Sequence, residues 1–127
     1  MTNNKGFTLI ELIIAIAVIL PVLLGAIGLN VYIFNSAETS RRAMVAIQDA
    51  HTVIERIRNL SQTSLAQVTS TYPSGQTVSG FSNLPSEQVT VTYPNSNADP
   101  LAITVSTSWT DRQGSMTRSL ATQVTHR

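Results

Sequence analysis

Lys5-Gly6-Phe7-Thr8-Leu9-Ile10-Glu11 opens directly onto Leu12-Ile-Ile-Ala-Ile-Ala-Val-Ile-Leu-Pro-Val-Leu-Leu-Gly-Ala-Ile-Gly-Leu29, 18 residues without a charged or strongly polar side chain. A run of that length reads as a membrane span. Glu11 stands at its mouth, and a carboxylate near hydrocarbon costs roughly 2.5–3.5 kcal/mol on insertion scales. Two readings of Glu11 compete. One is an acid that needs a cationic partner; the other is an acid at a helix start, favoured by the helix dipole.

Outward from this stretch the composition changes. The 127-residue chain is 43% hydrophobic and 12% charged, whereas about 25% is usual for the charged share of a soluble domain. Its apolar residues crowd between Phe7 and Phe34, and residues 61–127 are rich in Ser, Thr, Asn and Gln. Those last 67 residues would make a marginal core without another element to pack on. The net charge of +1 and the scattered arginines leave no basic footprint for nucleic acid, which is not expected as a partner. With no cysteine, disulfides, thiolate metal sites and a Cys nucleophile are excluded.

Beyond the apolar run, Ala37 to Leu60 contains no Pro or Gly, and Met44, Ile47, Ala50/His51, Ile54, Ile57 and Leu60 recur at helical spacing. This predicts an amphipathic helix continuous with the apolar one. Residues 7–60 would then form a helix of roughly 80 Å, apolar over 7–35 and amphipathic over 36–60. Pro21, Gly25 and Gly28 interrupt the ideal. A proline removes a backbone hydrogen bond and kinks a helix, and the Gly25-x-x-Gly28 spacing falls one residue short of the usual close-approach motif.

Residues 61–81 read as a connector with a turn at Tyr72-Pro73-Ser74-Gly75. Period-two alternation predicts strands at 88–93 and 103–109. The tetrapeptide Asp111-Arg112-Gln113-Gly114 reads as a hairpin loop leading back through 116–124. The inward face would be Val89, Val91, Tyr93, Ile103, Val105, Trp109, Leu120 and Val124. The expected class is α+β: a long N-terminal helix, transmembrane in its first half, with a small antiparallel sheet packed on its second half. Three strands are too few to stand alone, so the helix must complete the core.

Gly6-Phe7-Thr8-Leu9-Ile10-Glu11, preceded by a basic residue and followed by a span, resembles the prepilin signature of the type IV pilin superfamily: pilins, minor pilins and type II secretion pseudopilins. The likeness is specific over residues 5–29 and architectural beyond them. It implies a leader of residues 1–6, cut on the cytoplasmic side after Gly6 by a membrane prepilin peptidase that then N-methylates Phe7. The domains would be the leader (1–6), the transmembrane and assembly helix (7–35), its amphipathic second half (36–60) and a β-sheet headpiece (61–127). The resemblance also gives Glu11 a partner: the new α-amino group of Phe7, with a reference pKa of about 7.7–8.0, on a neighbouring subunit. Phe7 and Glu11 stand at i, i+4, so pairing within one chain is the competing geometry. Pro21, Gly25 and Gly28 would mark the stretch that melts when subunits pack into a filament.

Charge gives little guidance on orientation. Lys5 precedes the span and Arg41 and Arg42 follow it, so counting positives alone favours the topology opposite to the one the resemblance implies. Arg41-Arg42 could contact headgroups or form a solvated helix face. No catalytic constellation is found. His51 and His126 read as structural or surface residues, and Glu87, Asp99 and Asp111 fall in predicted loops without metal-ligand spacing. No enzyme activity, cofactor or metal is expected. The leading function is that of a minor pilin-like structural subunit. Its partners would be the prepilin peptidase/methyltransferase, other pilin subunits and inner-membrane lipids. It would be a single-pass protein of the bacterial inner membrane before assembly and part of a surface or periplasmic filament afterwards. A minor pseudopilin of type II secretion and a DNA-uptake pilin are the alternatives; for the latter only Arg112 and Arg118 flank the predicted hairpin. An uncleaved single-pass membrane protein is the plain competitor.

Overall fold

Residues 9–34 are almost all good helix formers or apolar residues, and the backbone there is helical without a break. In the computed structural model, which describes residues 6–125, α1 runs Leu9–Ser61, 53 residues. The helix passes through Pro21, Gly25 and Gly28. Pro21 has no N–H, so the Ala17 carbonyl loses its usual i→i+4 donor. A second polar device lies further on, where Asn30 donates its side-chain amide to the Ala26 carbonyl at 2.8 Å. That bond satisfies a polar side chain within an otherwise apolar segment. The 18-residue window with the highest mean hydropathy, 2.9, has none of its residues buried.

The chain divides into two units, residues 1–38 and 39–127. In the second unit the last part of α1 carries a four-stranded antiparallel sheet of order β1-β2-β3-β4. The strands are β1 (Thr77–Val78), β2 (Gln88–Thr92), β3 (Leu101–Asp111) and β4 (Gly114–Val124). β3 alternates strictly, with Leu101, Ile103, Val105, Thr107 and Trp109 buried. Of these, Leu101, Ile103 and Val105 meet Ala50, Val53, Ile54 and Ile57 of α1, together with Val89 and Val91 of β2 and Val124 of β4. Each fully buried Val, Leu or Ile stabilises by about 1.5–3 kcal/mol, so this layer supplies the core that 67 polar-rich residues lack alone. Two positive-φ glycines shape the turns. Gly75 (φ +79) donates its N–H to the Val91 carbonyl at 2.8 Å, and Gly114 (φ +114) receives the chain after the two-residue β3–β4 turn.

Four expectations need correction. The sheet has four strands, not three, because a two-residue β1 pairs Thr77 with Thr90 and Val78 with Val89; two residues are too few to show a period of two. The connector contains a helix, α2 (Leu65–Thr71), whose Val68 is fully buried. Its Ser/Thr-rich sequence has weak helix propensity, and burial of Val68 overrides that. The helix stripe is also rotated from the one expected. Ala46, Asp49, Ala50, Val53, Ile54, Ile57 and Ser61 are buried, while Met44 and Ile47 are exposed. Small residues face the sheet because Trp109 packs against Ala46 and partly buried Ala43. Finally, α1 begins at Leu9 rather than Phe7, since Thr8 caps it.

Candidate functional site: the N-terminal segment

Thr8-Leu9-Ile10-Glu11 fits the S/T-x-x-E capping pattern, in which a hydroxyl side chain accepts from the N–H three residues on. Thr8 does this: the Glu11 N–H reaches Thr8 Oγ1 at 3.4 Å, and the Leu12 N–H bonds the Thr8 carbonyl at 3.2 Å. Thr8 is therefore the N-cap, and Glu11 is the third residue of the helix. Phe7 lies ahead of the cap, 79% exposed, in non-helical backbone. Phe7 and Glu11 do not share a helix face in this structure, because an i, i+4 face requires both residues to be helical and Phe7 precedes the helix.

Glu11 lies in the first turn and is exposed. The positive end of the helix dipole favours a carboxylate there by roughly 0.3–1 kcal/mol. That is smaller than the roughly 2.5–3.5 kcal/mol cost of the acid in a membrane. The dipole alone leaves a deficit. Among the described residues no ion pair or side-chain hydrogen bond engages the Glu11 carboxylate.

The Gly6–Phe7 peptide bond precedes the cap and carries none of the helix's own hydrogen bonds. A Cβ on Gly6 would meet nothing within 4 Å, and the same holds for Gly25 and Gly28. The chain's own packing therefore places no steric demand for glycine at any of the three. If the residue type matters there, the demand comes from another molecule. Gly6, Phe7 and Glu11 fall together at the start of α1, and Pro21, Gly25 and Gly28 lie further along the same helix. Lys5 and the rest of the expected leader, residues 1–5, lie outside the described residues, as does His126. His51 is exposed, with Nδ1 at 3.9 Å from Glu55 Oε1.

A family model described as the prokaryotic N-terminal methylation motif matches residues 1–27. The chain carries a type IV prepilin-type signal. This motif and the apolar N-terminal helix that follows it fit a type IV pilin-like prepilin. The signal implies processing by a prepilin peptidase and assembly with other pilins, and the helix fits a membrane-anchored precursor. Comparison with curated proteins and with solved structures returns no match. The motif stops within the apolar segment, so the headpiece stands on its own geometry.

Thr8 is the residue that sequence reading passed over, although its capping pattern was legible. A second omission was not legible. Arg42, Thr39 and Asp111 meet across about 70 residues of chain, with Arg42 Nη1 donating to Asp111 Oδ1 at 2.8 Å and Thr39 Oγ1 to Oδ2 at 3.4 Å. Arg42 is thereby engaged as a clamp on the β3–β4 turn.

Proposed function

We propose that the prepilin is a structural subunit of a type IV pilus, in a minor-pilin-like role. It is cleaved after Gly6, N-methylated at Phe7 and assembled through its N-terminal helix. The observation that carries this reading is the methylation motif running into a helix whose apolar window has no buried residue. Such a surface needs hydrocarbon around it first and neighbouring helices later. Cleavage after Gly6 leaves Thr8 in the mature chain, so the capped helix start survives processing. The freed Phe7 ammonium then sits at the positive end of its own helix, where the dipole disfavours it. A Glu11 carboxylate on an adjacent subunit offsets that repulsion and its own desolvation together. Both charges lose water on entering the filament, so the pair favours assembly only when geometry and hydrogen bonding are good.

Mass spectrometry of the native protein tests the processing. The expected product begins at a methylated Phe7, and Gly6→Leu is expected to fold normally yet stay uncleaved, because nothing in the chain crowds position 6. An intact leader on the native protein, or efficient cleavage of the Gly6→Leu precursor, would overturn the reading.

A further inference from the structure

One carboxylate fastens the β3–β4 turn to the beginning of the headpiece. Asp111, whose side chain is 6% exposed, accepts from Arg42, from Thr39 and from the Arg112 N–H at 2.7 Å. Thr39 is the first residue of the second unit, so the turn is fixed at the end where the chain enters from the apolar segment. Phe34 lies five residues earlier, and five residues reach at most about 18 Å. That tether holds at any angle between the two units. Residues 9–34 rise about 39 Å as a helix, close to the 40–45 Å of a bilayer with its headgroups. Tyr32 and Phe34, both 72% exposed, close the apolar run; aromatic residues, Tyr above all, gather at the headgroup level.

The side chains offered at this end of the headpiece are basic. Arg41 and Arg112 are exposed and make no ion pair among the described residues. Arg118, four residues past the turn on β4, is exposed and among the described residues donates to the Thr117 carbonyl. The acids nearby are already engaged: Asp111 by Arg42, and Glu38 by a partner of its own.

We propose that, before assembly, the headpiece docks on anionic phospholipid headgroups through Arg41 and Arg112, with the β3–β4 turn against the bilayer. This rests on reading residues 7–34 as a span and adds a lipid partner for the headpiece. A bilayer fits better than a soluble anion because the two arginines are tethered beside the membrane, where even weak attractions act at high effective concentration. In filament assembly the contact would have to break as the subunit leaves the membrane.

The chain has no cysteine, so Gln113→Cys gives a single labelling site at the tip of the turn. The full chain carrying a polarity-sensitive dye there is placed in nanodiscs of phosphatidylcholine, with or without one part in three of phosphatidylglycerol. A blue shift is expected only with the anionic lipid, reversed by about 0.5 M salt as screening shortens the range of attraction. Arg41→Gln and Arg112→Gln should each lower the docked-to-free ratio about fivefold, the equivalent of roughly 1 kcal/mol per basic residue at an anionic surface. Asn97→Cys, in the loop at the opposite end of β3, should report water in both lipids. No shift at 113, an equal shift at 97, or insensitivity to salt would each overturn the docking. A chain that fails to enter the discs would overturn the span, and the docking with it.

Discussion

The same helix lies in two different environments. Between Phe7 and Phe34 the best-covered large apolar residue, Ile16, is still 48% exposed, whereas Val53 and Ile57 on the same α1 have no exposed surface. The first segment is apolar all round, and the second is apolar on one face only. A helix of the first kind needs a partner or lipid on every side; one of the second kind needs a single sheet. The difference separates assembly from folding: substitutions in the first region should act on what the protein joins, and substitutions in the second on whether the headpiece holds together.

The largest effect tests the assembly region. Glu11→Val should leave insertion and leader cleavage unchanged while recovery in sheared filaments drops by about a hundredfold or more. Removing one member of a desolvated ion pair costs roughly 3–5 kcal/mol. Normal recovery of the variant would remove the charge pair from the mechanism. Next comes a paired comparison across the boundary. Ile57→Ala should cost the headpiece about 2–5 kcal/mol and lower its melting temperature by roughly 15 °C or more, followed by the fluorescence of the sole tryptophan, buried Trp109. Leu23→Ala, 55% exposed, should leave that melting temperature in place. A comparable loss from Leu23→Ala would erase the distinction between the regions.

The first region was far more legible in the sequence than the second, for a physical reason. A span and its signal are local patterns, so residues 5–29 carried the membrane reading and the prepilin-type signal by themselves. The cap at Thr8 was equally local. The headpiece depends on what meets what. Weighting large side chains selected Met44 and Ile47 as the packed stripe, but Trp109 fills the space above Ala46 and turns the helix by its small face. Buried Asp49 is accommodated on that face by Asn83, 34 residues on, whose side-chain amide donates to both its oxygens at 3.0 Å. Strand positions survived because alternation along β3 is local, whereas β1 and α2 owe their form to the residues they touch.

The clamp at Asp111 sharpens the comparison from within the headpiece. Asp111→Ala removes the bond from Arg42, 23% exposed, and frees the β3–β4 turn. A hydrogen bond to a charged group contributes about 1.5–3 kcal/mol, so the melting temperature should fall by less than for Ile57→Ala. Arg42→Ala alone should cost a similar amount. The double variant should cost less than the sum of the two, since both single changes remove the same Arg42–Asp111 bond. Additive losses would show that the two side chains act independently.

The smallest effect is a pH dependence confined to the headpiece. Half-buried Glu87 accepts from the Asn83 N–H at 2.8 Å and the Leu84 N–H at 3.1 Å through Oε2. Burial pushes its carboxyl above the ordinary range, and the Asp49 carboxylate raises it further, against the lowering effect of those two N–H donors. An acid whose pKa is raised by folding favours the folded state while protonated. That contribution is complete below the unfolded value, about 4.3, and is lost as pH rises through the folded one. The melting temperature of the headpiece should therefore include a component that grows as pH falls toward 4. Glu87→Gln keeps the acceptor for the two N–H groups and cannot ionise, so it should match the parent near pH 4 and exceed it at pH 7. The span carries no such group in its apolar window, and Glu11→Gln should leave this pH component unchanged. A parent and a Glu87→Gln variant that melt in parallel from pH 4 to 8 would assign the pH response to another acid.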